Sequence, residues 1–188
     1  MNRQERYRQE YKRLRPEWQD SLSIYKDLID KATTRTSYIL DVGCGHGDYL
    51  RSVFEKTKHT YGIDPDKSAL SKNTFIKHLS VASVEKLPFK DNFFDVVVLQ
   101  WVLEHLPDPE TAFSEIHRVL KPGGKVIFVT PNARNYNAWI IRLIPNRFHG
   151  FFTNMLYGRK AEDAYPVQYK VNSYKKLAKI LEPIGLNK

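Results

Sequence analysis

The chain has 188 residues, of which 41% are hydrophobic and 13% aromatic, enough to fill the core of one domain and too many for a disordered chain. Its formal net charge of +9 admits nucleic acid, an anionic membrane surface or an acidic substrate as partners. One cysteine, Cys44, excludes an internal disulfide and a cysteine-built metal site and suits a reducing cytoplasm, while from the polar start and the lack of any apolar run near the ~20 residues of a membrane span neither a signal peptide nor a transmembrane helix is expected.

Residues 4–31 read as one or two helices, interrupted at Arg15-Pro16 because proline disfavours helical geometry in the residue before it. Trp18, Leu22, Tyr25 and Ile29 form one stripe at helical spacing. Strands and helices then alternate: strand 38–42, helix 48–57, strand 60–64, helix 66–74, a short strand 78–82, strand 94–100, helix 109–120 and strand 125–130. This alternation predicts an α/β fold of parallel strands joined by right-handed crossovers. Ala112, Phe113, Ile116, Val119 and Leu120 give helix 109–120 its buried face, and Lys121-Pro122-Gly123-Gly124 is expected to end it in a tight turn. Residues 132–170 lack a clean period and mix Tyr136, Trp139, Phe148, Phe151, Phe152, Met155 and Tyr157 with arginines. A last helix over 172–183, capped by Asn172 or Ser173, is expected to carry Tyr174, Leu177, Leu181 and Ile184 inward.

The most informative stretch is Ile39-Leu40-Asp41-Val42-Gly43-Cys44-Gly45-His46-Gly47, an apolar strand running into three glycines behind an acid. Without a Cβ, such positions permit positive φ and close approach of a ligand to the backbone. The dinucleotide version of this turn requires glycine where Asp48 stands. Asp41 to Gly47, with Tyr61-Gly62-Ile63-Asp64-Pro65, Glu85-Lys86-Leu87-Pro88-Phe89, Phe94-Asp95-Val96-Val97-Val98, Leu103-Glu104-His105-Leu106 and Leu120-Lys121-Pro122-Gly123-Gly124-Lys125-Val126, resembles the class I S-adenosylmethionine-dependent methyltransferases, specifically the group of the ubiquinone and menaquinone-biosynthesis enzymes. The resemblance covers residues 38–132. It implies a Rossmann-like, doubly wound, mostly parallel sheet of order 3-2-1-4-5, and S-adenosylmethionine as cofactor with S-adenosylhomocysteine as product. It divides the chain into an N-terminal helical lid (1–32), a cofactor-binding core (33–131), an insert (132–170) and a C-terminal helix (171–188). The resembled fold continues into a further strand pair, so the chain is expected to be shortened and the strand at Val126–Val129 to form an exposed edge open to pairing with another copy.

The resemblance also implies roles. Gly43, Cys44 and Gly45 would lie against the cofactor's amino-acid part and ribose. Asp64, followed by Pro65, would accept from the ribose hydroxyls, its alternative being an N-cap for the segment from Pro65. Asp41 would lie near the cofactor's ammonium or the glycine-loop amides, with a structural capping role as its alternative. Ser83 stands where the family places an acid for the adenine amine. It accepts without charge, and a charge-assisted bond is about twice as strong. The Val84 amide could still pair the ring. Gln100 would line the methionine part. His105 is the candidate general base, its alternative a residue structuring the loop before Pro107. Tyr11 would belong to the lid, its alternative being plain packing of the helix. No metal is expected, since the histidines show no ligand spacing.

Charge adds a second consideration. Residues 132–188 hold 10 basic and 3 acidic side chains, whereas residues 33–131 hold 12 of each. The leading expectation is methyl transfer to a small hydrophobic or aromatic acceptor, with peripheral membrane contact compatible. The basic, aromatic flank leaves a nucleic-acid methyltransferase as one alternative. A non-catalytic cofactor-binding module is the other, motivated by Ser83 and the missing strand pair.

Overall fold

Runs of Val, Ile, Leu and Tyr, each too short to be a helix of its own, become parallel strands once the intervening segments cover both faces of the sheet. The computed structural model describes residues 3–46, 49–132 and 167–186. In chain order these form α1 (Arg3–Leu14), α2 (Ser21–Ala32), β1 (Tyr38–Val42), α3 (Arg51–Lys56), β2 (His59–Asp64), α4 (Lys67–Leu70), β3 (His78–Val81), β4 (Phe94–Gln100), α5 (Pro109–Val119), β5 (Leu120–Val129) and α6 (Tyr174–Leu181). The strand order is β3-β2-β1-β4-β5 and every pairing is parallel, the order expected from the motif resemblance.

Strand periodicity sends alternate residues of β1 to opposite sides. Ile39 packs with Tyr25 and Ile29 of α2, Val53 and Phe54 of α3, and Val96 and Val98 of β4. Leu40 and Val42 pack with Phe94, Val97 and Leu99 of β4 and with Ala112, Phe113, Ile116 and Val119 of α5. The central strand is thereby buried on both faces, and its carboxyl end is held between those of β2 and β4.

Several elements depart from their expected bounds for local reasons. Trp18 lies outside α2, because Asp20 begins that helix by accepting from Leu22 N and Ser23 N. Helix α4 has 4 residues where nine were expected over 66–74, because the Asn73 side chain accepts from the amides of Phe75 and Ile76 and so offers that backbone an alternative to helix. β5 starts directly after α5: Leu120 pairs with Phe94, and pairing resumes at Lys125 with Val96 after a register shift. Lys121 to Gly124 therefore makes the expected tight turn, with Gly123 at φ +78°, but as a loop between two strand pairings and not ahead of the first. In α6 the N-cap is Ser173, without a side-chain capping bond, and Tyr174, expected inward, is 71% exposed. Leu177, Ile180 and Leu181 make that helix's contact with the core, and Ile184 just beyond it packs there too. Among the described residues β5 has one strand neighbour, β4. The bulky residues Tyr136 to Tyr157 of the expected insert lie outside the described residues.

Candidate functional site

The register of the sheet assembles the site. Asp41 lies opposite Gly62 on one side and Val98 on the other, so two residues further along, at the carboxyl ends, Asp64 and Gln100 flank Gly43. Gly43 takes φ +68°, and a Cβ there would come within 2.5 Å of Val102 Cγ2, so both conformation and space require glycine. The turn is tied to the end of β2 twice over. Gly43 N and Cys44 N both donate to Ile63 O, at 2.8 and 3.0 Å.

Asp64 holds the turn with its side chain. Gly45 N donates to Oδ2 at 2.9 Å, and Asp66 N donates to Oδ1 at 2.8 Å. The carboxylate thus faces the glycine turn, as the cofactor reading requires, and each oxygen retains further acceptor capacity. The alternative reading of Asp64 as a helix cap is corrected: Asp66 caps α4, accepting from Ser68 N and Ala69 N. Pro65 is exposed between the two acids.

Asp41 is 7% exposed, and its side chain makes no hydrogen bond among the described residues. Burial, and then the charge of Asp64, pushes its pKa up to about 8. Cys44 is buried, with its thiol pushed up by burial and by Asp41 and Asp64. Its sulfur occupies the niche over Gly62, so what Cys44 presents to a ligand is backbone. Tyr25 of α2 reaches this same region. Its hydroxyl is buried without a hydrogen-bond partner among the described residues, and its pKa is raised by burial, then by Asp41.

The remaining expected residues lie outside the glycine turn. Ser83 is exposed and its hydroxyl donates to Glu85. Val84 buries its side chain in the core. That loop is pinned from α5: Glu115 accepts from Leu87 N, and Arg118 binds Glu115, Asp91 and the carbonyls of Leu87 and Phe89. Gln100 is half-buried at the end of β4, and His105 is half-buried in the 3₁₀ turn Leu103–His105. Tyr11 is 50% exposed and stands edge-on to Trp18 at 5.1 Å. None of its described ring contacts or hydrogen bonds reaches the described part of the glycine turn.

Three contributors escaped the sequence reading. Asn73 Nδ2 donates to Gly45 O at 3.0 Å, bracing the turn from β2's far side. Trp101, directly after Gln100, adopts φ 58°, a left-handed conformation that costs a bulky residue energy and tends to occur at functional sites. Glu104 is 4% exposed and accepts from Thr130 Oγ1, which in turn accepts from Asn172. No residue pattern signals these, since each depends on partners distant in the chain.

A ligand that fits here must tolerate backbone against it, offer hydroxyls or other donors to Asp64 and bring positive charge to the Asp41 region. The orphaned Tyr25 hydroxyl and the Cβ-free cradle at Gly43 fit such a group. Residues 40–128 match the family described as a methyltransferase domain. A ubiquinone biosynthesis O-methyltransferase from Pseudomonas syringae pv. tomato is 32% identical over 162 residues, covering 71% of this chain and 69% of its own length. The chain belongs to the S-adenosylmethionine-dependent methyltransferases. A second ubiquinone biosynthesis O-methyltransferase, from Aromatoleum aromaticum, is 29% identical over 171 residues, or 76% of this chain and 73% of its own. Among solved structures, a methyltransferase from Thermotoga maritima superposes with TM-score 0.64 at 19% identity, covering 96% of this chain and 78% of its own. One from Methanosarcina mazei gives 0.60 at 23% identity, covering 84% and 82%. These two share the fold. The methyltransferase thus uses S-adenosylmethionine as its cofactor. No helix among its described residues is long and apolar enough to cross a membrane.

Proposed function

We propose that this methyltransferase transfers the methyl group to a hydroxyl oxygen of a small, hydrophobic or aromatic, quinone-like acceptor. The acceptor class is supported by the activity named for its Pseudomonas and Aromatoleum relatives. The observation that carries the cofactor's seat is the contact of Asp64 with the Gly45 amide, which presents a carboxylate at the glycine turn. In this reading Asp64 accepts from the ribose hydroxyls, and Gly43, Cys44, Gly45 and Pro65 lie against the cofactor. Ser83 and Val84 face the adenine, Gln100 borders the methionine part, and Asp41 faces the ammonium. A lipid-like acceptor also suits peripheral membrane contact in a cytoplasmic setting.

When bound, the cofactor supplies an electrophilic methyl group on a sulfonium. The protein's own work is to align the acceptor oxygen in line with that carbon and to exclude water. His105 would take the hydroxyl proton that the acceptor oxygen must lose on methylation.

Calorimetry with S-adenosylmethionine and S-adenosylhomocysteine is expected to show binding of both, weakened about tenfold or more in Asp64→Ala by loss of charged hydrogen bonds. Methyl transfer to a prenylated catechol is expected for the wild type, with His105→Gln lowering kcat while cofactor affinity stays unchanged. Folded protein that binds neither cofactor form would reject the reading, and methylation of RNA in place of the catechol would replace the acceptor.

A further inference from the structure

Tyr25 is 2% exposed, yet its hydroxyl has no hydrogen-bond partner among the described residues. Phenylalanine would fill the same space without leaving a buried polar atom unsatisfied. The hydroxyl's surroundings indicate what it is for. Tyr25 projects from α2 into the cluster that holds Cys44 and Ile39, and the group acting on it most strongly after burial is Asp41 of β1, followed by Tyr49. Asp41 in turn meets Asp64 from β2 and Cys44 from the glycine turn. No described cation is among the groups that act on Asp41. The seat is thus bounded by oxygens and a sulfur, with two of those oxygen-bearing groups, Tyr25 and Asp41, making no hydrogen bond through their side chains among the described residues. A guest that carries several N–H donors and positive charge would satisfy both, stabilising the carboxylate form of Asp41.

We propose that Tyr25 is a cofactor-binding residue whose hydroxyl oxygen, together with the Asp41 carboxylate, accepts from the ammonium group of S-adenosylmethionine, so that α2 forms one wall of the cofactor site. The inference rests on the cofactor's seat described above and adds to it a residue outside the glycine motif. The proton balance follows. Ligand-free Asp41, held at a pKa of about 8, is mostly protonated at neutral pH, and the arriving ammonium displaces that proton to solvent. The amine keeps its own three hydrogens, one for each oxygen-bearing side chain and one for water or backbone.

The test compares wild type, Tyr25→Phe and Asp41→Asn for binding S-adenosylmethionine, S-adenosylhomocysteine and methylthioadenosine, the last being the nucleoside without the amino-acid end. Tyr25→Phe is expected to bind the first two about ten- to a hundredfold more weakly, to bind methylthioadenosine within about twofold of wild type, and to melt no lower than wild type without ligand. Asp41→Asn is expected to show the same selectivity, which keeps the test open should either variant fold poorly. Equal weakening of all three ligands, or of none, in Tyr25→Phe would overturn the proposal while leaving the seat intact. A wild type that binds none of the three would remove the seat itself and the proposal with it.

Discussion

Position 62 has room for a hydrogen atom and little else: a Cβ there would stand 2.7 Å from Cys44 Sγ and 2.9 Å from Ile76 Cδ1. Both neighbours are buried, Cys44 in the glycine turn and Ile76 ahead of β3, so neither can swing into solvent. The side chain at 44 fits only because β2 is bare at the residue beneath it. Gly62→Ala is therefore expected to lower stability by about 1–3 kcal/mol through overpacking. Adding Cys44→Ala should restore part of that loss, since contacting sites couple. Denaturation midpoints of the two single variants and the double variant measure it, and strict additivity would show that the sulfur is not what limits position 62. The glycines at 43 and 45 and the acid at 64 were legible in the sequence because their chemistry is local, a turn after a strand and a carboxylate at a strand end. The niche at 62 was not, because it exists only once β2 lies beside β1.

Among the elements, α4 shows how a site is built at the expense of regular structure. Pattern alone extended it to residue 74, yet it stops after Leu70 and hands the chain to Asn73, whose amide donates to Gly45 O while its carbonyl accepts from Phe75 N and Ile76 N. Three backbone groups in two segments depend on one buried side chain. Asn73→Ala strands all of them, and with each buried unsatisfied group costing ~1–3 kcal/mol before relaxation, a net loss of about 2–4 kcal/mol is expected. Cofactor affinity should fall too, because the turn loses its outer brace, whereas Asn73→Asp should keep the acceptor and recover Phe75 and Ile76 while leaving Gly45 unbraced. Urea denaturation and calorimetry on both variants separate the two roles. The same division between local and distant cause runs through the other elements. β1, β2 and β4 are rich in β-branched, aromatic and aliphatic residues and were readable nearly to the residue, while the start of β5 and the short α4 are decided by partners elsewhere in the fold.

At the scale of the whole molecule the strand order was legible because parallel βα alternation leaves few handed arrangements, but the electrostatic character of the cofactor end was not, since nothing in the spacing of Asp41 and Asp64 states that both are buried near a tyrosine whose hydroxyl has no partner among the described residues. That arrangement governs the protein's response to pH. Asp41 titrates at about 8 when folded and near ~4 when unfolded, so between those values the folded protein binds the extra proton and its stability falls as pH rises, by up to ~1.4 kcal/mol per pH unit from this group. Asp20 and Glu115 act in the opposite sense. The Ser23 hydroxyl and the Arg118 guanidinium lower their pKa values, so their stabilisation is present above the usual carboxylate range and is lost as pH falls through the lowered values. The ligand-free protein should accordingly be most stable on the acidic side of neutrality. Melting temperatures taken from about pH 5 to about pH 8 are expected to fall more steeply for wild type than for Asp41→Asn, which cannot ionise. Saturating S-adenosylhomocysteine should flatten the wild-type slope, because its ammonium keeps Asp41 charged in the folded state and removes the proton that produced the slope. Parallel curves for wild type and Asp41→Asn would mean that Asp41 ionises as an ordinary surface acid, and the cationic head of the cofactor would then need another partner.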